Sequence, residues 1–449
     1  MTSNRPIAPT VLAALTLLAG AVRTAVASPE RPADPLPRAS AAALGLSGPR
    51  LQHMNEFFKI ESERHLAAGY VLMVARDGKL VDASAVGYRN LRSRAPMTLD
   101  TRFRIASMSK PITSVAVLML YEQGLFQLDD PIARFLPEFA HPRVFTGLDS
   151  HGNVLTEPAK RGITIRDLLT HRSGLGYLPG FDMKTPLATI YGKMRPDADA
   201  TLAANVRKIA AMPLYYQPGA GWRYSYADDV LGRLVEVVSG MPFAQFLRQR
   251  IFTPLNMNST GFYLPAADAP LLATMYRRDN DGGLRTSHAD WLTDPTDAKV
   301  WPSGGGGLIS TAGDYLRFAQ MLANGGSLDG HQILSPVTVG LMTHNQVAPD
   351  ALFDFFGPDS IGLGYGLGVG VEIDARHAPL AGMDGDYSWG GIFDTHWIVS
   401  PATGLVAVLM TQIDPTVAPA GNPTPSHTDA DLRTLLFASV KSLAPPIRR

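Results

Sequence analysis

Strand-like runs stand at the two ends of this chain, and helix-like runs lie between them. Near the start, GYVLMVARDGKLVDASAVGYRN (69–90) sets two β-rich stretches around Asp77-Gly78, a dipeptide suited to the tight turn of a hairpin. Near the end, IGLGYGLGVGVEI, THWIVSP and LVAVLMTQ have the same character. Between about 115 and 300 the clearest stretches, TIRDLLTHRSGLGY and DVLGRLVEVVSG, are helical and joined by Pro- and Gly-rich loops. Strands this far apart in sequence must pair across the whole chain. The simplest arrangement is an α+β fold: one antiparallel sheet built from both ends, helices packed on it, and a mostly helical subdomain inserted at about 115–300. An insertion of that size leaves a cleft at the junction, and clefts host active sites. A first helix is expected from LQHMNEFFKIESE, near Leu51, and an amphipathic last one from DADLRTLLFASVKSL.

The first residues read as a leader. MTSNR carries one positive charge, Ile7 to Val22 is nearly all apolar, and Ala25-Val26-Ala27 supplies small residues before Ser28. That is the order of a secretory signal peptide. The apolar run is shorter than the roughly 20 residues of a membrane span. The mature protein is therefore expected to begin near Ser28, to be periplasmic or secreted, and to have no stable membrane span. SPERPADPLPRAS (28–40) reads as a linker or extended N-terminal arm up to about residue 48, with the folded domain at 49–449. The chain has no cysteine, which excludes disulfides, a thiol nucleophile and the cysteine-linked anchor of a lipoprotein. Its 11 histidines show no HExxH or similar ligand spacing, so no metal or other cofactor is expected. Net charge is zero with no block of like charge, which gives no electrostatic reason for a nucleic-acid partner. Nothing in the sequence sets an oligomeric state.

RIASMSKPIT (104–113) holds two serines and a lysine ahead of a long apolar helix. Residues three apart share a helix face, so Ser107 and Lys110 are neighbours, while Ser109 points about 100° away. Pro111 lacks an N–H and is tolerated only in the first turn, so the helix starts close to Ser107. The Ser107 N–H then lies at the positive helix end, where it suits a developing oxyanion. A serine hydroxyl is a weak nucleophile until a base takes its proton. Lys110 serves if its charge is useful or if burial disfavours the ammonium.

Three stretches together carry a resemblance: FRIASMSKPITSVAVLMLYEQG, PGAGWRYSYADDVLGRLVEVVSG and GDYSWGGIFDTHWIVSP, with TIRDLLTHRSGL and PSGGGGLISTAGDYLRFAQML connecting them. The chain resembles, from about 50 to 415, the serine β-lactamase and penicillin-binding-protein superfamily on its class C side. Within it, the chain is similar to the family VIII carboxylesterases, whose third motif is often W-G-G instead of K-T-G. The resemblance implies a β-lactamase/transpeptidase-like fold and these roles. Ser107 is the nucleophile, and Lys110 and Tyr224 share the work of base and acid. The backbone N–H groups of Ser107 and Ile392 form the oxyanion hole. Trp389, Gly390, Gly391 and Tyr226 bind substrate. Where K-T-G offers a cation to a substrate carboxylate, Trp389 offers an apolar face and an N–H. Where Y-x-N offers an amide, the chain has Tyr226. Both departures favour short neutral carboxylic esters with apolar groups over penicillins or D-alanyl peptides.

The expected function is thus an exported serine esterase acting on a small-molecule ester. The alternatives are an acyltransferase, a β-lactamase or a D-amino-acid peptidase or amidase on the same fold, or a non-catalytic penicillin-binding-like protein. Four other features read as structural. Ser388 in DYSWG lacks the first Gly of a hydrolase elbow. His171 reads as a helix-end histidine. Gly304–Gly307 reads as a tight loop approaching the cleft. Asp228-Asp229 reads as acid placed favourably near a helix N-terminus.

Overall fold

The computed structural model describes residue 1 and residues 34–177, 185–194, 201–279, 282–287, 294–297, 301–348, 351–352, 357–415 and 427–443. Apart from Met1, the expected leader and its cut near Ala27 lie outside the described residues. All elements below belong to one unit, Asp34–Arg449.

Among the described residues, eight strands form the main sheet. Three come from the start of the chain: β1 (Gly69–Arg76), β2 (Lys79–Asn90) and β3 (Ala95–Pro96). Five come from the end: β4 (Leu363–Tyr365), β5 (Gly370–Glu372), β6 (Tyr387–Gly391), β7 (Thr395–Ser400) and β8 (Leu405–Met410). Their order across the sheet is β4-β5-β6-β7-β8-β1-β2-β3, antiparallel throughout. The two ends meet where β1 pairs with β8, from Val71 opposite Met410 to Arg76 opposite Leu405.

Both faces of these central strands are covered. On β1, Val71, Met73 and Ala75 enter one core, while Tyr70, Leu72 and Val74 enter another. This is the period-2 alternation of a strand buried on two sides. The first core holds helix α2 (Ser109–Glu122), α4 (Ala227–Ser239) and α5 (Ala312–Ala323). The second holds α1 (Gly48–Glu63) and the last helix, α6 (Thr428–Ala438). A short α3 (Ile165–Leu169) opens with a Thr164–Asp167 capping box. Among the described residues, no single helix is long and apolar enough to cross a membrane.

The fold begins before Leu51: Leu36 and Leu46 are buried, Arg38 bridges Leu80, and Leu46 bridges Val440. A Pro-rich segment can dock by a few apolar side chains without forming a regular element. Besides its helices the middle carries two hairpins, one of Arg143–Leu148 with Val154–Pro158 and one of Tyr276–Arg278 with Leu284–Thr286. The first hairpin is largely exposed and its turn is held by Asp149, which accepts from the N–H groups of His151 and Asn153 at 2.8 Å each. Such strands carry little apolar periodicity.

Candidate active site

Ser107 sits in a 3₁₀ turn, Ala106–Met108, that runs directly into α2. The turn is strained at its first residue. Ala106 has φ +43°, a region that residues with a Cβ rarely enter. The strand β6 ends against this turn. A Cβ on Gly391 would lie 2.3 Å from the Ile105 carbonyl oxygen and 2.3 Å from Thr395 Oγ1, so only glycine allows the approach.

Lys110 is fully buried in the first turn of α2. Its Nζ donates to Ser107 Oγ at 3.2 Å and to the Gly305 carbonyl. It lies 4.5 Å from the Tyr224 ring centre and 5.2 Å from that of Tyr177. Burial works against the ammonium, as the sequence leads one to expect. Tyr177, Tyr224 and Asp228 work for it and prevail, so the Lys110 pKa moves up rather than down. Ser109, also buried, turns the other way and accepts from the Leu308 N–H at 3.1 Å.

The glycine run explains itself here. Asp229, in the first turn of α4, accepts from Ser303 Oγ at 2.7 Å and from the Gly305 N–H at 3.1 Å. A Cβ on Gly304 would stand 2.4 Å from the Asp228 carbonyl oxygen. The loop is thereby pinned with its Gly305 carbonyl on Lys110. Burial pushes Asp229 upward despite those donors. Burial also pushes Asp228 up to about 7, with Lys110 pulling it down and Asp229 pushing it further up.

Tyr224 lies in the loop before α4, 5% exposed. Its ring is packed by His171 at 4.7 Å, Tyr177 at 5.4 Å and Trp389 at 5.8 Å between centroids. Trp389 Nε1–H donates to the Tyr224 hydroxyl at 3.2 Å. In this structure the N–H that the sequence offers to substrate meets the Tyr224 hydroxyl, while Trp389 also lines the cavity. His171 is buried, with Nδ1 3.1 Å from Ser225 Oγ and Nε2 3.5 Å from Asp228 Oδ2. Burial, reinforced by Lys110, pushes it well below the usual histidine range, so it is neutral at pH 7.

Ser107, Tyr224, Trp389, Gly390, Gly391 and Ile392 line one cavity of about 350 Å³. Ile392 follows β6 in the turn to β7. Tyr226 is not brought there. It is 3% exposed at the start of α4, with its ring 4.8 Å from that of Tyr177 and its N–H on the Gly176 carbonyl. Being two residues past Tyr224 at a helix start turns it into the core. The decoy Ser388 is held by Arg433, which donates to its Oγ at 2.8 Å. Sequence reasoning missed Tyr177, the second phenol on Lys110. It stands at the end of LLTHRSGLGY with no spacing that ties it to the lysine.

A family model described as Beta-lactamase matches residues 54–430. Protein Rv1367c of Mycobacterium tuberculosis is 39% identical over 375 residues, covering 80% of this chain and 90% of that protein. Esterase EstB of Burkholderia gladioli is 32% identical over 371 residues, covering 78% of this chain and 86% of that protein. Among solved structures, EstCE1, described as a hydrolase with promiscuous acyltransferase activity, is similar with a TM-score of 0.71 at 27% identity, covering 88% of this chain and 99% of that one.

Proposed function

The chain belongs to the beta-lactamase family of serine hydrolases, and from that membership we propose that it is a serine carboxylesterase, cleaving small neutral esters through an acyl-enzyme on Ser107. The observation that carries this reading is the contact of Lys110 Nζ with Ser107 Oγ at 3.2 Å, beside Tyr224 and at the wall of a cavity. Lys110, held as an ammonium, supplies charge rather than a lone pair. Tyr224, as the phenolate, takes the Ser107 proton while Oγ attacks the ester carbonyl, and so becomes a neutral phenol. Before that transfer the Lys110 ammonium and the Trp389 N–H stabilise the negative charge on its oxygen. The backbone N–H groups of Ser107 and Ile392 receive the carbonyl oxygen as it becomes an oxyanion. Tyr224 returns the proton to the leaving alcohol, and water repeats the sequence on the acyl-enzyme.

Trp389 stands where K-T-G would supply a cation, which favours neutral esters over β-lactams bearing a carboxylate. A second reading keeps the acyl-enzyme and replaces water by an alcohol or amine. It is favoured by the similarity to EstCE1, whose description includes acyltransferase activity. Labelling by a fluorophosphonate, mapped to Ser107 by peptide mass, tests the nucleophile. A label elsewhere, or none, overturns it. Product analysis with water against added alcohol separates the two acceptors. Export with a cut near Ala27 belongs to the same proposal and rests on the N-terminal sequence pattern.

A further inference from the structure

The cavity runs past the reacting groups to a charged end that no step above uses. Glu372, the last residue of β5, lines it and is 5% exposed, yet its Oε1 has no hydrogen-bond partner among the described residues. A buried carboxylate oxygen without a donor costs free energy, and folded chains rarely keep one without use. Acid predominates around it. Asp384 and Asp386 stand on the turn into β6, and Asp429 on α6. Arg433, the cation facing this group, is already engaged, donating to Asp429 Oδ2 at 3.0 Å and to Ser388 Oγ at 2.8 Å. His396 on β7, also at this end, is paired with Asp394 at 2.8 Å.

We propose that Glu372 receives a hydrogen-bond donor on the non-reacting part of the substrate, so that this enzyme prefers esters ending in a hydroxyl or ammonium group. The inference rests on the esterase reading, names a specificity-determining residue for it, and extends its substrates from small neutral esters to longer ones ending in a neutral or cationic donor. Its reach follows from the sheet. The Glu372 N–H is bonded to the Asp386 carbonyl at 2.8 Å, and Asp386 to Gly391 spans roughly 16 Å of strand at about 3.3 Å per residue. The preferred ester is therefore long, with its donor far from the scissile carbonyl. The same surroundings explain why a donor is welcome. Burial pushes Glu372 up to about 7, Arg433 pulls it down, and Asp386, Asp384 and Asp429 push it up again. An arriving donor offsets what those groups oppose.

The test uses matched long-chain esters ending in methyl, hydroxyl or ammonium, varied once in the acyl chain and once in the alcohol, assayed at pH 8, where Glu372 is ionised. Donor-terminated esters should exceed the methyl-terminated ester in kcat/KM by roughly tenfold or more in one series, as a charged hydrogen bond allows. A larger gain for ammonium than for hydroxyl identifies the cation as the preferred donor, and equal gains identify hydrogen bonding alone. Glu372→Met, close in size but with no oxygen to accept, should bring the ratio close to unity, mainly through KM. Wild-type enzyme with no terminal preference in either series overturns the assignment, and so does a Glu372→Met variant that keeps the preference. An aryl acetate, too short to reach Glu372, reports on the esterase reading by itself. No turnover of it overturns that reading, whereas turnover without terminal preference overturns only the role of Glu372.

Discussion

At the scale of single residues, the offset of three between Ser107 and Lys110 decides which serine reacts. Ser107→Ala should abolish nearly all ester hydrolysis, while Ser109→Ala should leave a folded and active enzyme, because Ser109 serves the Leu308 N–H. An active Ser107→Ala variant in a p-nitrophenyl butyrate assay overturns this. Tyr224→Phe should cost about 10²–10⁴ in kcat, the span of a lost general base. Trp389→Phe should lower kcat as well, because it removes the donor to that hydroxyl. Its effect on kcat should largely vanish in the Tyr224→Phe background, where the N–H has no hydroxyl to serve. Additive losses in the double variant would separate the two residues. Glu372 makes a prediction about stability. Its folded value of about 7 stands above its ordinary 4.5, so between those values the folded chain keeps a proton that the unfolded chain releases. Folding therefore loses free energy from this residue as pH rises through that window. Tm of Glu372→Gln should fall less than wild type from pH 5 to pH 8, and parallel curves would show that Glu372 is not held in this way. The serine–lysine pair was legible because helix geometry is local. The Trp389 donor and the burial of Tyr226 were not, since each depends on which neighbour a folded loop presents.

At the scale of elements, the site is a junction of a helix start, a strand end and a pinned glycine loop. Gly391 sets the distance between the first two. Gly391→Ala must push β6 away from Ile105, and a displacement of about 1 Å at a reacting centre can cost 10²-fold in rate. The variant should keep its far-UV spectrum, lose about 10²-fold in kcat/KM, and melt at a lower temperature. Near wild-type activity would mean that the strand end does not position Ile392. The strands at both ends were legible from apolar runs and the Asp77-Gly78 turn, because strands buried on two faces read as nearly continuous apolar sequence. The hairpin at 143–158 was hidden because its apolar residues follow no inside–outside alternation: Val144 is buried, while Leu148, Val154 and Leu155 are exposed.

At the scale of the whole molecule, the N-terminal arm is part of the structure it precedes. Leu36 and Leu46 are buried, and Arg317 reaches the Pro35 carbonyl. A protein beginning at Gly48 should lose about 1.5–3 kcal/mol per leucine removed from the core, read as a lower urea midpoint. An unchanged midpoint would make the arm an ornament. A cut near Ala27 leaves these contacts whole, and N-terminal sequencing of protein from the native host should begin near Ser28. Met1 retained in a soluble cytoplasmic fraction would overturn export. The pairing of β1 with β8 carries a consequence in time. Val71 waits for Met410, so the innermost strand has no outer neighbour on that side until almost the entire chain has been made. A ribosome stalled in the last quarter of the message holds a chain whose sheet lacks its middle. Such a chain stays open to chaperones and proteases alike until its final strands arrive.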